Sequence, residues 1–269
     1  METNPKSPRV LFFDIDGTLV SFKTHCIPES TVKAIKEAHD NGNIIIISTG
    51  RPKSIINNLT ELMQLNLIDG YITMNGAYCF IGDDIVYEHA IDGNEVNTMT
   101  EIARKNSYPM IFVTANGIHA CNADQELRNI FYTFLKVKEI PEADYAEATR
   151  HKVYQLTVFF DEEAEKKIKP LVPQCEFNRW HPSFVDITAQ GVTKAAGVKK
   201  MMEHLGIDMS QSVAFGDGGN DVPMLKEAAV GVAMGNADDS VKEEADYVTT
   251  SVDDDGIKNA LIALGIITG

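Results

Sequence analysis

The chain is predicted to be an α/β protein: a doubly wound, mostly parallel sheet with a second α+β unit inserted into it. Three observations predict this. Short aliphatic runs alternate with stretches of helical period over residues 10–76 and again over 192–264. The runs break off in polar residues and glycine, as in Asp14-Ile15-Asp16-Gly17 and Ser48-Thr49-Gly50, which suits strands whose carboxyl ends form a ligand crevice. From about residue 83 the texture changes to hairpin signals and charged helices, in a stretch of about 100 residues.

Residues 10–13 (Val-Leu-Phe-Phe) are apolar throughout and too few for a helix, so they read as a buried strand. Asp14 and Asp16 follow. In extended chain, residues i and i+2 point to the same side, so both carboxylates can address one point. Two such acids repel each other unless a cation or a shared proton intervenes. The chemical reading is a hard metal ion such as Mg²⁺ beside a phosphate under nucleophilic attack; the plainer alternative is an acidic Asp-Gly turn. Gly17 lets the chain turn at the strand end.

Residues 28–41 are predicted as a helix, with Ala34, Ile35 and Ala38 as its apolar stripe and Asn41-Gly42 as its stop. Residues 43–48 form a second buried strand running into Ser48-Thr49-Gly50-Arg51. Pro52 suits the first position of a helix extending to about residue 64. Thr49 is therefore expected at a helix N-terminus, where a phosphate oxygen is favoured and where Ser and Thr also serve as caps. A third strand at 71–74 ends at Asn75-Gly76. No G-x-G-x-x-G follows the first strand and no G-x-x-x-x-G-K-[ST] occurs, so a dinucleotide fold and a P-loop are unsupported.

The inserted stretch reads as a helix at 92–106, a hairpin of 109–114 and 118–121 around Asn116-Gly117, and a helix at 124–135. A strand at 153–160, a charged helix at 161–169 and strands at 175–180 and 184–187 complete it. It carries no chemical motif of its own. Arg179-Trp180-His181 could face a substrate, although packing and solvation are the commoner roles of such residues on a sheet.

The alternating pattern then resumes. Gly191-Val192-Thr193-Lys194 leads into a helix to about residue 205, with Ala195, Val198, Met201 and Met202 on its apolar face. A lysine at a helix start faces the wrong end of the dipole, which points to a bound anion; a solvated lysine is the bland alternative. A strand at 212–215 ends in Gly216-Asp217-Gly218-Gly219-Asn220-Asp221, again with carboxylates on a glycine-rich turn. A strand at 230–233 before Met234-Gly235-Asn236-Ala237, a strand at 245–248 and a helix at 255–264 close the chain.

Composition narrows the class. With 269 residues, 44% of them hydrophobic, the chain can bury a core, and its net charge of −15 disfavours nucleic acid and anionic lipid as partners. An anionic substrate stays possible, because a metal and a local lysine reverse the sign inside one cleft. Cys26, Cys79, Cys121 and Cys175 lie far apart without a C-x-x-C pair, which argues against a zinc site or disulfide framework and for a reducing compartment. The histidines show no metal-ligand spacing. Residues 1–8 lack an apolar secretion core, and the aliphatic runs fall well short of the ~20 residues of a membrane span. A soluble, cytoplasmic protein is expected, with no membrane partner.

Taken together, Asp14-Ile-Asp-Gly-Thr-Leu19, Ser48-Thr-Gly-Arg-Pro52, Asn75-Gly76, Gly191-Val-Thr-Lys194, Gly216–Asp221 and Met234-Gly-Asn-Ala237, in this order, resemble the haloacid dehalogenase (HAD) superfamily of phosphohydrolases. The likeness is to its Cof-type branch and to bacterial sugar-phosphate phosphatases. It implies a Rossmann-like core of residues 1–84 and 188–269, with residues 85–187 as an inserted α/β cap that closes over the core and sets specificity. It also implies that Asp14 attacks phosphorus to give an aspartyl-phosphate, and that Asp16 protonates the leaving oxygen and then activates water. Thr49, Gly50, Lys194 and Asn220 would bind the phosphoryl group, with Asn220 alternatively orienting Lys194. Mg²⁺ would be held by the Asp14 carboxylate, the Asp16 carbonyl and Asp217, with Asp221 supporting it through water. The implied substrate is a small phosphorylated metabolite, chiefly a hexose or pentose phosphate. Two other readings are a phosphohexomutase-type phosphotransferase and a phosphosugar sensor without turnover; intact Asp14, Asp16, Thr49, Lys194 and Asp217 speak against the sensor. Oligomeric state is not legible.

Overall fold

Aliphatic and aromatic runs become strands here because their side chains suit a pleated surface covered on both faces. The computed structural model describes residues 9–134, 137 and 140–268, with only the backbone of Phe134 and Trp180. The polar start at 1–8 and the predicted helix end at Leu135 lie outside the described residues. Two compact units divide the chain: Met1–Arg51, Ile56–Tyr87 and Thr193–Gly269 in one, Pro52–Ile55 and Glu88–Val192 in the other.

The first unit holds an eight-stranded sheet. Its strands are β1 (Val10–Phe13), β2 (Ile44–Ser48), β3 (Gly70–Thr73), β4 (Tyr78–Ile81), β5 (Asp84–Glu88), β11 (Ser212–Gly216), β12 (Val230–Ala233) and β13 (Tyr247–Val248), in the order β13-β12-β11-β1-β2-β3-β4-β5. β1 runs parallel to both β2 and β11, with Phe13 opposite Ile47 on one side and Phe215 on the other. The two halves of the chain therefore wind outward from β1, and its carboxyl end is the switch point where a crevice opens.

Alternation along these strands sorts the core into two layers. Leu11, Phe13, Ile45, Ile47, Val213 and Phe215 face α1 (Glu29–Asp40) and α10 (Gly256–Ala263), and the Phe13 and Phe215 rings stack 4.6 Å apart. Val10, Phe12, Ile46, Ile72 and Ala214 meet α7 (Lys194–Leu205) and α8 (Val222–Glu227) on the opposite face. The short helices α2 (Thr60–Gln64) and α9 (Asp239–Lys242) bury Leu62 and Val241.

The second unit is a five-stranded antiparallel sheet, ordered β7-β6-β8-β10-β9, with helices between its strands. Its strands are β6 (Met110–Thr114), β7 (Gly117–Cys121), β8 (Gln155–Val158), β9 (Cys175–His181) and β10 (Phe184–Ala189). The helices are α3 (Gly93–Asn106), α4 (Gln125–Arg128), α5 (Tyr145–Ala148) and α6 (Glu162–Ile168); Asp92, Asp124, Asp144 and Asp161 cap them by accepting first-turn N–H groups. Arg179 is an internal tie. Its Nε meets Glu165 at 2.7 Å, and its other N–H groups reach the carbonyls of Phe160, Pro182 and Phe184. The His181 ring stacks on Phe184; the Trp180 side chain lies outside the described residues.

Several elements differ from the sequence reading. The helix expected over 52–64 is a 3₁₀ turn, Lys53–Ile55, and then α2. β-Branched Ile55-Ile56 and the pair Asn57-Asn58 are poor helix formers, and they interrupt it. Thr49 consequently does not sit at the start of a long helix. β4 and β5 were not expected: β4 is only four residues long, and β5 alternates weakly on the sheet edge with Ile85 exposed. The helix expected at 124–135 is α4 followed by a π-helical turn, Asn129–Phe134. Helices α8 and α9 follow glycine-rich turns too closely for a periodic signal. Among the described residues no helix is long and apolar enough to cross a membrane, and all four cysteines are free thiols.

Candidate active site

The site grows from the end of β1. The Asp14 N–H donates to Phe215 O at 3.0 Å, so the ladder with β11 continues one residue past the strand and fixes where the Asp14 carboxylate emerges. Lys194 reaches it from the first turn of α7. Thr193 caps that helix, its hydroxyl accepting the Ala196 N–H, and Lys194 is fully buried. The Lys194 ammonium donates to Asp14 Oδ1 at 2.6 Å, to Asp221 Oδ1 at 2.6 Å and to Ser48 O at 2.9 Å. All three of its N–H groups are thereby used. Burial on its own would lower the lysine pKa; Asp14 and Asp221 outweigh it and hold the group protonated, above the ordinary lysine range.

The carboxylates outnumber this one cation. Burial, then the neighbouring Asp221, pushes Asp14 well above the usual carboxylate range despite Lys194. Asp217 is pushed up to about 7, again by burial and then Asp221, although Thr18 donates its hydroxyl to Asp217 Oδ1 at 2.9 Å. One carboxylate oxygen each from Asp14, Asp217 and Asp221 lies within 4.8 Å of the others. Hard oxygen donors with uncompensated charge fit a divalent cation such as Mg²⁺. Asp221 also shapes the loop, since its Oδ2 accepts the N–H groups of Asp217 and Gly218 at 3.0 and 2.9 Å.

Asp16 is oriented differently from Asp14. Arg51 grips its carboxylate with two hydrogen bonds, Nε to Oδ2 at 2.6 Å and the terminal nitrogen to Oδ1 at 2.8 Å. The Asp16 side chain is thus paired with a guanidinium, outside the three-carboxylate cluster. Thr49 is buried at the end of β2; its N–H donates to Ile72 O at 2.8 Å and its hydroxyl accepts the Arg51 N–H at 3.0 Å. Gly50 lies against the Asn75 side chain, and a β-carbon there would come within 3.3 Å of Asn75 Oδ1. Asn220 donates to that same oxygen at 3.0 Å. Lys194 is oriented by Asp14, Asp221 and Ser48, so of the two roles considered for Asn220 the geometry does not provide the orienting one.

Residues far apart in sequence are thus assembled at the carboxyl ends of β1, β2 and β11 and the start of α7. Sequence reasoning missed four supporting residues: Arg51 on Asp16, Thr18 on Asp217, Asn75 on Asn220, and Asn236, whose amide donates to Gly17 O at 2.9 Å. Each lies inside a segment that stood out in the sequence. The signal for the segments was there; spacing alone does not say which partner each residue meets.

A doubly wound sheet with this set of acids, an ammonium and a hydroxyl at its switch point is equipped for phosphoryl transfer. The chain belongs to the haloacid dehalogenase-like hydrolases, whose family profile matches residues 11–261. It is similar to the solved structure of the HAD subclass IIB sugar phosphatase BT4131, with 51% identity, a TM-score of 0.90 and coverage of 96% of this chain and 100% of that one. A second similar structure is the HAD phosphatase BT1666 from Bacteroides thetaiotaomicron, at 35% identity and a TM-score of 0.85, covering 99% of both chains. The 5-amino-6-(5-phospho-D-ribitylamino)uracil phosphatase YcsE of Bacillus subtilis (strain 168) is 31% identical over 94% of each chain.

Proposed function

We propose that the protein is a Mg²⁺-dependent phosphatase of small phosphorylated sugars that works through an aspartyl-phosphate on Asp14. The observation that carries this reading is the buried Lys194 bridging Asp14 and Asp221 beside Asp217 at the end of β1. An Asp14 oxygen attacks phosphorus while the bond to the leaving oxygen breaks, and Asp16 gives that oxygen a proton. Asp16 then takes a proton from water, which attacks the phosphorus of the acyl phosphate, freeing inorganic phosphate and Asp14. Lys194 and Thr49 hold phosphoryl oxygens, Lys194 by exchanging one of its present hydrogen bonds, with Gly50 and Asn220 beside them, and Arg51, which occupies both Asp16 oxygens, frees one of them for these two tasks. Asp14, Asp217 and Asp221, with the Asp16 carbonyl, are the groups that would hold Mg²⁺. What that ion supplies when bound is neutralisation of charge on the phosphoryl oxygens. The unit spanning Glu88–Val192 is assigned the choice of leaving group.

Two likenesses support a sugar-like leaving group. One similar structure is a sugar phosphatase, and YcsE acts on a phosphate carried by a ribityl chain. The test is phosphate release from a panel of hexose 6-phosphates, pentose 5-phosphates, hexose 1-phosphates, pyridoxal phosphate and nucleotides. Turnover of sugar phosphates that stops with EDTA and returns with Mg²⁺ is expected. Full activity without metal, or turnover of other esters only, would contradict the proposal.

A further inference from the structure

The site described above is built from charges and amides, yet a phenyl ring stands beside it. Phe22 is 61% exposed, the most exposed of the large hydrophobic side chains among the described residues. Exposure alone would mean little, since single apolar residues are common on protein surfaces. Its position and its support give it meaning.

The position is read at Gly17, the turn between Asp16 and Thr18, where φ is +88°. A β-carbon on Gly17 would lie 2.7 Å from Phe22 Cε2 and 2.1 Å from Asp217 Oδ2. The ring edge and the Asp217 carboxylate therefore border the same small space over this turn. Asp16 also bridges to Val20, so the loop that carries Phe22 springs directly from the turn that carries the acid.

The support is a closed set of hydrogen bonds. Ser21 N–H donates to Cys26 O, and His25 N–H returns to Ser21 O. The Ser21 hydroxyl accepts the Lys23 and Thr24 N–H groups and donates to Asp253 Oδ1 at 2.6 Å, while Lys23 pairs with Asp253 Oδ2 at 2.8 Å. A loop tied down at both ends and to a second loop holds the backbone of Phe22 in a defined place.

We propose that Phe22 is a specificity-determining residue: its ring is the apolar platform on which the carbon skeleton of the leaving group rests. The proposal builds on the phosphatase reading above. The leaving oxygen must come to Asp16, so the carbons attached to it emerge beside the Asp16–Gly17 turn, where Phe22 offers an exposed ring. The C–H faces of a sugar or polyol pack on an aromatic ring and leave their hydroxyls in water. Binding energy from such remote contact favours an ester with a carbon skeleton over a minimal phosphate donor.

The test compares kcat/KM for the best ester of the panel with kcat/KM for acetyl phosphate, which has almost no skeleton to rest on the ring. In Phe22→Ala the ratio of the two should fall about tenfold, carried mainly by KM for the ester. Phe22→Tyr, which keeps the ring, should retain the wild-type ratio. An unchanged ratio in Phe22→Ala overturns the proposal, whether both rates stay at wild-type values or fall together as a merely structural role would make them. Failure of the sugar-phosphate reading appears separately, in the wild type, as turnover of a different ester. The ratio is then taken on that ester.

Discussion

At the scale of single residues, the site is defined by an imbalance: one buried ammonium among three buried or half-buried acids. Asp14 is the group whose ionised form the surroundings disfavour most plainly, through burial and then Asp221. Asp14→Asn should therefore abolish phosphate release without weakening the fold, because Asp221 still pairs with Lys194 and one disfavoured charge is gone. A melting temperature equal to or above that of the wild type in metal-free buffer, with phosphate release at background, is the expected pair of results. Retained release would remove Asp14 as nucleophile. Asp16→Asn keeps shape and loses proton transfer, so turnover should drop by ~10²-fold or more. Rapid-quench measurement of the phosphoenzyme and of free phosphate separates its two tasks, and wild-type rates in both would refute them. The sequence pointed to these acids because they follow directly on a buried strand. The shared side expected of residues i and i+2 does not hold, since the strand ends at Phe13 and Asp16 turns to Arg51 while Asp14 meets Lys194. The sequence did not point to Arg51, because an arginine's partner depends on where another strand ends.

At the scale of elements, the decisive junction is where the turn after β3 meets the start of α7. Gly76 has φ +102°, and a β-carbon on it would lie 2.2 Å from Thr193 O, the carbonyl just before Lys194. Gly76→Ala must either strain the turn or push α7 outward, and with it Lys194. A loss of about 2–4 kcal/mol in urea unfolding is expected, with a fall in kcat of the folded enzyme beyond what unfolding explains. A variant with unchanged stability and turnover would show that the two elements are not interlocked. The motif Asn75-Gly76 was visible in the sequence, but its reason was not: the glycine is required by a backbone 117 positions further along the chain. The interruption between Lys53–Ile55 and α2 makes the same point in reverse. Proline at a plausible first helical position suggested one helix, and the low helix propensity that followed prevailed.

At the scale of the whole molecule, the acid cluster couples folding, pH and metal. Asp217 has its folded pKa raised to about 7, against about 3.9 for an unperturbed aspartate. Across that window the folded chain holds a proton that the unfolded chain has shed, so metal-free stability falls as pH rises from about 4 to about 7. Asp14 is raised too and acts in the same direction. A cation bound to these carboxylates must displace the protons, so Mg²⁺ should bind more weakly at low pH. The upward shift in melting temperature on adding Mg²⁺ should accordingly be small at pH 5.5 and clearly larger at pH 8; equal shifts would contradict a site built on these acids. By itself the sequence determined the sheet class, the buried strands and the acids at their ends. Those follow from short-range rules: period-two burial, turn chemistry and like charges set side by side. Only the tertiary structure decided which groups balance which charges, that Lys194 is held by Asp14, Asp221 and Ser48, and that Arg51 belongs to Asp16. These depend on distances between strand ends, and such distances exist only once the sheet has brought distant stretches of chain to one edge.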